Sequence, residues 1–188
     1  MRTRDDWLTE GLAALVAEGE PGVRIDKLAR RLGMTKGSFH HHFRGMADYR
    51  RALLERYEAD QRAVQERLAA LLVDTPAEAV IAGLPSRVAD LVDTDLERAI
   101  RAWGVADQDV RETQERIDAA RLAFLQDVWF QVLGDEGRAR TAALVPHLIM
   151  VGAGAVRPRL GAADVQAVFD LLGRLVAVVA DDGPTPEA

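Results

Sequence analysis

The sequence predicts an all-α protein. It has an N-terminal three-helix head with a helix-turn-helix, one long linking helix and a C-terminal helical body, about nine helices in all. Three observations lead there. Apolar residues recur at three- and four-residue spacing along most of the chain, and no stretch alternates over a useful length. The segment Lys36–Phe43, KGSFHHHF, is too polar and too basic to be core. Charge is also uneven: residues 1–51 hold 10 Lys+Arg against 7 Asp+Glu and three of the histidines, whereas residues 52–188 hold 14 against 23. A basic head on an acidic body suits a head that meets a polyanion.

Composition removes several classes of function. With no cysteine there is no disulfide framework, no thiolate zinc site and no cysteine nucleophile. There is no HExxH and no Gly-rich phosphate loop of nucleotide-binding spacing. The N-terminus lacks a signal-peptide core, and no run approaches the roughly 18 apolar residues of a membrane span. A soluble cytosolic protein is the expectation, with no membrane partner.

The first helix has Asp5 or Thr9 as candidate caps and Trp7, Leu8, Leu12, Leu15 and Val16 on one face. Gly19, Pro21 and Gly22 end it. Val23 and Ile25 lead into a second helix that turns Leu28, Ala29 and Leu32 inward, with Gly33 as its C′ residue. Met34 plugs the turn. Thr35 is the N-cap of a third helix from Lys36 to about His42, anchored by Phe39 and Phe43. Its outward residues are Lys36, Gly37, Ser38, His40, His41 and His42, followed by Arg44. Gly37 costs about 1 kcal/mol relative to Ala inside a helix, yet permits close approach of another backbone. Three consecutive histidines on a helix would point about 100° apart and cannot converge on one metal ion. A solvated helix end and contacts with phosphates and bases are the other readings of them.

These residues carry a resemblance. The pattern LA-x(3)-G-x-T-K-G-S-F-x-x-H-F, formed here by Leu28, Ala29, Gly33, Thr35, Lys36, Gly37, Ser38, Phe39, His42 and Phe43, is similar to that of the TetR family of bacterial transcription regulators. The motif covers about the first 50 residues; the remainder is similar in length and helical character. Three positions depart from the pattern. Arg24 opens the second helix where Ser or Thr is common, His40 stands where an aromatic such as Tyr is common, and Met46 replaces a phosphate-touching Lys. The resemblance implies that Lys36, Ser38, His40 and His41 approach base edges or nearby phosphates, with Gly37 between them. Arg24, Thr35, His42 and Arg44 would mainly hold the DNA backbone.

From Met46 a long helix with Tyr49, Leu53, Tyr57, Val64, Leu68 and Leu71 runs to about Val73, interrupted by Asp60 and Gln61. Thr75-Pro76 restarts the chain. Residues 77–93 are helical, and Leu84-Pro85 should kink or split them. Asp93 or Thr94 caps a helix through Leu96, Ile100 and Trp103, within the phrase ERAIRAWG that resembles a subset of TetR-like regulators. Asp107 starts a further long helix with Val110, Ile117, Phe124, Val128 and Val132 on one face, which stops at Gly134.

The last two helices are unusually apolar. Arg138 to Val156 contains Pro146, Gly152 and Gly154; after a loop at residues 157–161, Asp164 to Ala180 carries a wide apolar stripe. Two such helices need more partner surface than one small body supplies, and the resemblance implies a homodimer that pairs them. Leu148, Val151, Gly152, Val165, Val168, Phe169, Leu172, Leu175 and Val176 are the expected interface; a hairpin buried within one chain is the alternative. The tail, residues 181–188, is polar and frayed.

The resemblance also implies a small-molecule effector in the body. Trp103, Phe124, Trp129, Phe130, His147 and Met150 are candidates for its pocket, each also readable as plain core. The domain expectation is a DNA-binding head over residues 1–48 and an effector-binding and dimerisation body over residues 49–188. The function expected is a homodimeric repressor released from a palindromic operator by an effector, with double-stranded DNA and a second copy as partners, and no metal or cofactor. A helical protein-interaction module without DNA and an all-helical enzyme are the competing classes.

Overall fold

The computed structural model describes residues 3–71, 73, 75–77, 79–81, 83, 93–156, 158, 160, 161 and 163–171. Seven helices are bounded: α1 (Arg4–Glu18), α2 (Ile25–Leu32), α3 (Lys36–Phe39), α4 (Met46–Leu71), α5 (Thr94–Gly104), α6 (Gln108–Leu133) and α7 (Glu136–Ala155), with a 3₁₀ turn at Glu20–Gly22. Residues 163–171 are helical, as are the described positions from 77 to 83. No strand occurs among the described residues, so the all-α expectation holds. The chain forms two compact units, residues 1–68 with 92–121, and residues 69–91 with 122–188.

In the first unit, α1 starts at a capping box. The Thr3 hydroxyl accepts from the Asp6 amide at 3.3 Å while Asp6 Oδ2 accepts from the Thr3 amide at 2.6 Å. This corrects the expected cap at Asp5 or Thr9. Asp5 instead pairs with Arg56 of α4, and Thr9 lies inside the helix. Gly19 ends α1 at φ +70°, its amide donating to the Leu15 carbonyl at 2.9 Å. A Cβ on Gly22 would come within 2.8 Å of the Ala14 carbonyl oxygen, so the 3₁₀ turn closes onto α1 only with glycine there.

The core of this unit is aromatic. Phe39 and Phe43 are buried against each other at 5.1 Å between ring centroids. The edge of Trp7 meets Phe39 at 5.4 Å, and Tyr49 meets Phe43 edge-on at 4.9 Å. Such pairs add about 0.5–1.5 kcal/mol each beyond area burial. Leu15, Leu28, Leu53 and Tyr57 extend the same cluster, and Ile100 and Trp103 of α5 and Val110 and Ile117 of α6 complete it. Asp93 caps α5 by accepting from Leu96 N at 3.0 Å.

A partly buried charge network ties α4, α5 and α6 together. Arg101 forks onto Asp118 at 2.6 and 2.8 Å and reaches Glu97 at 2.8 Å. Arg121 donates to Glu97 at 2.8 Å and to the Gln61 carbonyl oxygen at 2.6 Å. Burial would raise the Glu97 pKa, but Arg121 and Arg101 hold its carboxyl below the usual range.

In the second unit, Gly134 turns the chain at φ +64° and Asp135 caps α7 by accepting from Arg138 N at 2.8 Å. Ala139 and Ala143 are buried against Trp129, with Ile81, Leu125 and Leu133 around them. Small residues there let α7 approach Trp129 closely. Pro146 sits inside α7 without ending it. The other side of α7 leaves Leu144, Val145 and Leu148 exposed, Leu148 by 62 %. Val168 and Leu171 are exposed in the helical stretch 163–171. The predicted kink at Leu84-Pro85, the expected interface residues Leu172, Leu175 and Val176, and the tail lie outside the described residues.

Candidate nucleic-acid interface

The candidate interface is built on α2, α3 and the turn after it. Arg24 is the N-cap residue of α2 in extended conformation, exposed, with no side-chain capping bond. Inside α2, Leu28, Ala29 and Leu32 are buried. Gly33 ends it in the left-handed region (φ +67°, ψ 31°), where a side chain is strained although nothing lies within 4 Å of a Cβ there. The Met34 amide donates to the Ala29 carbonyl at 2.7 Å, and its side chain packs on the core as a partly buried plug.

Thr35 caps α3 as predicted, accepting from Ser38 N at 3.3 Å, and the Ser38 hydroxyl donates back to the Thr35 carbonyl at 3.0 Å. The α-helix is shorter than the sequence suggests. It ends at Phe39, and His40, His41 and His42 lie in the turn that follows rather than on a continuing helix. The His40 amide bonds to the Gly37 carbonyl at 3.2 Å, and the His42 and Phe43 amides share the Phe39 carbonyl at 3.0 Å each. Tightened bonds of this kind close a helix end, and two buried aromatics four residues apart hold the turn down. His40 and His41 are exposed, whereas His42 is half-buried with its ring 6.3 Å from that of Phe43. Among the described residues no group of three or more His, Asp or Glu side chains is placed to hold a metal ion.

Lys36 and Gly37 are exposed. A Cβ at Gly37 would meet only the Thr35 hydroxyl, at 3.6 Å, so the fold itself makes no demand for glycine there. Arg44 is exposed, its amide donating to Asp48 Oδ2 at 3.0 Å. That bond, helped by the Arg51 side chain, holds the Asp48 carboxyl below the usual range. Met46 turns partly inward onto the core. Met46, Arg44 and Arg51 also line an open cleft of about 900 Å³ with Trp103 and Asp109.

The expected effector residues are divided between the two units. Trp103 belongs to the core of the first, under the Arg50 guanidinium at 5.7 Å. Phe124, Trp129, Phe130, His147 and Met150 belong to the second. There Trp129 is buried, its indole N–H without a hydrogen-bond partner among the described residues, while Phe124, His147 and Met150 are half-buried and Phe130 is exposed.

A search of solved structures matches nearly the whole chain. A protein of Mesorhizobium loti MAFF303099 classed with the TetR-family transcriptional regulators superposes with a TM-score of 0.72 at 16 % identity, over 94 % of this chain and 95 % of that one. The chain has the TetR-family fold. A transcriptional regulator from Rhodococcus sp. Rha1 gives a TM-score of 0.70 at 15 % identity, covering 97 % of this chain and 100 % of that one. Among curated proteins, the transcriptional regulator AcuR of Cereibacter sphaeroides is 40 % identical over 48 residues, which is 26 % of this chain and 22 % of AcuR. The match thus spans about a fifth of that relative's length. No protein-family model matches the chain. These TetR-like neighbours are regulators of transcription rather than enzymes. No helix among the described residues is long and apolar enough to cross a membrane.

Proposed function

We propose that this chain is a DNA-binding transcription regulator that acts as a homodimeric repressor in the bacterial cytoplasm and leaves its operator when a small molecule binds. The observation that carries the reading is the tip formed by α3. Phe39 fixes the helix from below, while Lys36, Gly37, His40 and His41 are exposed, His40 with its ring edge-on to Phe39 at 5.4 Å. A glycine that the fold does not need, beside an exposed ammonium and two imidazoles, suits a surface that another backbone approaches. Arg24 at the N-cap of α2 and Arg44 after the turn are exposed and would supply phosphate donors that Met46 does not.

Residues 1–48 hold the DNA contacts in this reading, and residues 49–188 hold dimer and effector functions. The exposed apolar side of α7 around Leu148, Val151 and Gly152, with Val165, Val168 and Phe169, supplies a face for a second copy. Two heads on one twofold axis read half-sites about 34–36 Å apart or somewhat more. The Trp129 indole N–H, without a hydrogen-bond partner among the described residues, with His147 and Met150 on α7 of the same unit, supports an effector site in the second unit. An effector would act through its different affinities for DNA-competent and DNA-incompetent dimers.

The test is the pair Lys36→Ala and His41→Ala, singly and together, in DNA titrations across salt. Affinity and salt slope should both fall while the oligomeric state is unchanged. Undiminished binding by the double variant would remove the residue assignment, and failure of the wild-type chain to bind duplex DNA at low salt would remove the reading.

A further inference from the structure

The cations of the head fall into two sets. Lys27 pairs with Glu18 at 2.7 Å, Arg31 with Glu10 and Glu18, Arg50 with Glu20, and Arg51 with Asp48 at 2.6 Å. All but Arg51–Asp48, which lies within α4, join separate elements of the head. Arg4, Arg24, Arg30 and Lys36 form no ion pair among the described residues, while Arg44 lies near Asp48, to which its amide donates. Arg24, Lys36 and Arg44 belong to the interface above. Arg4 does not, and its setting is specific.

The Arg4 guanidinium lies over the ring of Phe43, its Cζ 5.1 Å from the centroid. Its acidic neighbours in sequence are engaged elsewhere, Asp5 with Arg56 and Asp6 with Thr3. Arg4 is exposed, and the Thr3–Asp6 capping box fixes the helical turn that carries it. The Phe43 ring in turn lies beside His42 and Phe39, so the guanidinium sits at the end of the segment that presents His40 and His41. A guanidinium with one face on a ring keeps its in-plane N–H donors free, and their fork matches phosphate oxygens. Such a group, held on α1 rather than α3, is placed to grip a backbone rather than read a base.

We propose that Arg4 is a DNA-phosphate contact that sets the register of the recognition segment, a role that rests on the DNA-binding reading above. Stacking on Phe43 orders the side chain before DNA arrives, so less freedom is lost on binding.

The test titrates the full-length chain and its Arg4→Gln, Arg4→Met and Arg4→Lys variants against a random-sequence duplex over a series of salt concentrations. Helical circular dichroism of each variant is recorded alongside. Arg4→Gln should lower the magnitude of the log–log salt slope by about 0.9 for each protomer bound, and weaken binding by the same factor on any duplex. Arg4→Met keeps an apolar stem on the Phe43 ring and removes only the charge; it should give the same slope, and it serves if the Gln variant does not fold. Arg4→Lys should keep the wild-type slope while binding more weakly, because the planar fork is lost. A folded uncharged variant with the wild-type slope would overturn the role of Arg4 and leave the DNA reading standing. A flat slope for the wild-type chain would overturn both.

Discussion

The Tyr49 hydroxyl donates a 2.6 Å hydrogen bond to the backbone carbonyl of Trp7, and it reaches that oxygen by crossing Gly11. A Cβ on Gly11 would collide with the hydroxyl and stand 3.0 Å from Leu53. α1 and α4 thus meet at Gly11 with no room left for a methyl group. Gly11→Ala should destabilise the protein by about 1–3 kcal/mol, despite its better helix propensity. Tyr49→Phe should cost about 1 kcal/mol for the lost bond. Because the two substitutions share one clash, the double variant should be more stable than the sum of the single effects allows. A thermal double-mutant cycle showing strict additivity would refute the shared contact.

Alkaline stability follows from the same phenol. Burial pushes the Tyr49 and Tyr57 hydroxyls above the ordinary tyrosine value, with Glu10 adding to the effect at Tyr49 and Glu97 at Tyr57. Above about pH 10 the unfolded chain releases these protons while the folded chain keeps them. The folded state then binds more protons, so stability falls as pH rises. Urea midpoints should be level up to about pH 10 and decline beyond it, and Tyr49→Phe should make the decline shallower.

Glu97 is the hinge of the charge network, since it accepts from both Arg101 and Arg121. Glu97→Gln removes the charge with little change in shape and leaves two partly buried guanidiniums short of an anion. The expected loss is about 1–3 kcal/mol, below the 3–5 kcal/mol of a fully buried pair because the site is partly solvated. The Glu97 pKa is lowered on folding, so its contribution is present above the ordinary glutamate pKa and is lost as pH falls below it. The stability difference between wild type and Glu97→Gln should therefore shrink in acid, as denaturant titrations at several pH values would register.

Leu148 is 62 % exposed in the middle of an apolar helix. Leu148→Glu should cost the single chain little, because surface substitutions usually change stability by about 0.5 kcal/mol or less. In a dimer paired through α7 it would bury two like charges. Sedimentation should show a concentration-dependent dimer for the wild-type chain and a monomer for the variant. A wild-type chain that stays monomeric at high concentration would rule out the interface.

The head was the most legible part of the sequence because its turns depend on residues with narrow roles. Gly33 takes φ +67° and Thr35 caps α3, and both functions are written in the residue type. The Thr3 cap was also written locally, as a Thr followed three residues later by Asp, but it sits beside other candidate caps in TRDD. The end of α3 was not legible. Three histidines of middling helix propensity carry no stop signal, and the turn is closed by backbone bonds, His40 to Gly37 and His42 to Phe39, that leave no trace in residue type. Contacts distant in sequence, such as Tyr49 to Trp7 and Arg121 to Gln61, leave no periodic trace. For the same reason the sequence could not say which head cations are neutralised and which stand free.

Gly37 has a consequence for how this surface can change over generations. The fold offers room for a Cβ there and needs no positive φ, so the residue can vary without passing a folding filter. On the DNA-binding reading proposed above, Gly37→Ala would therefore change the approach of a bound backbone while the fold stays intact.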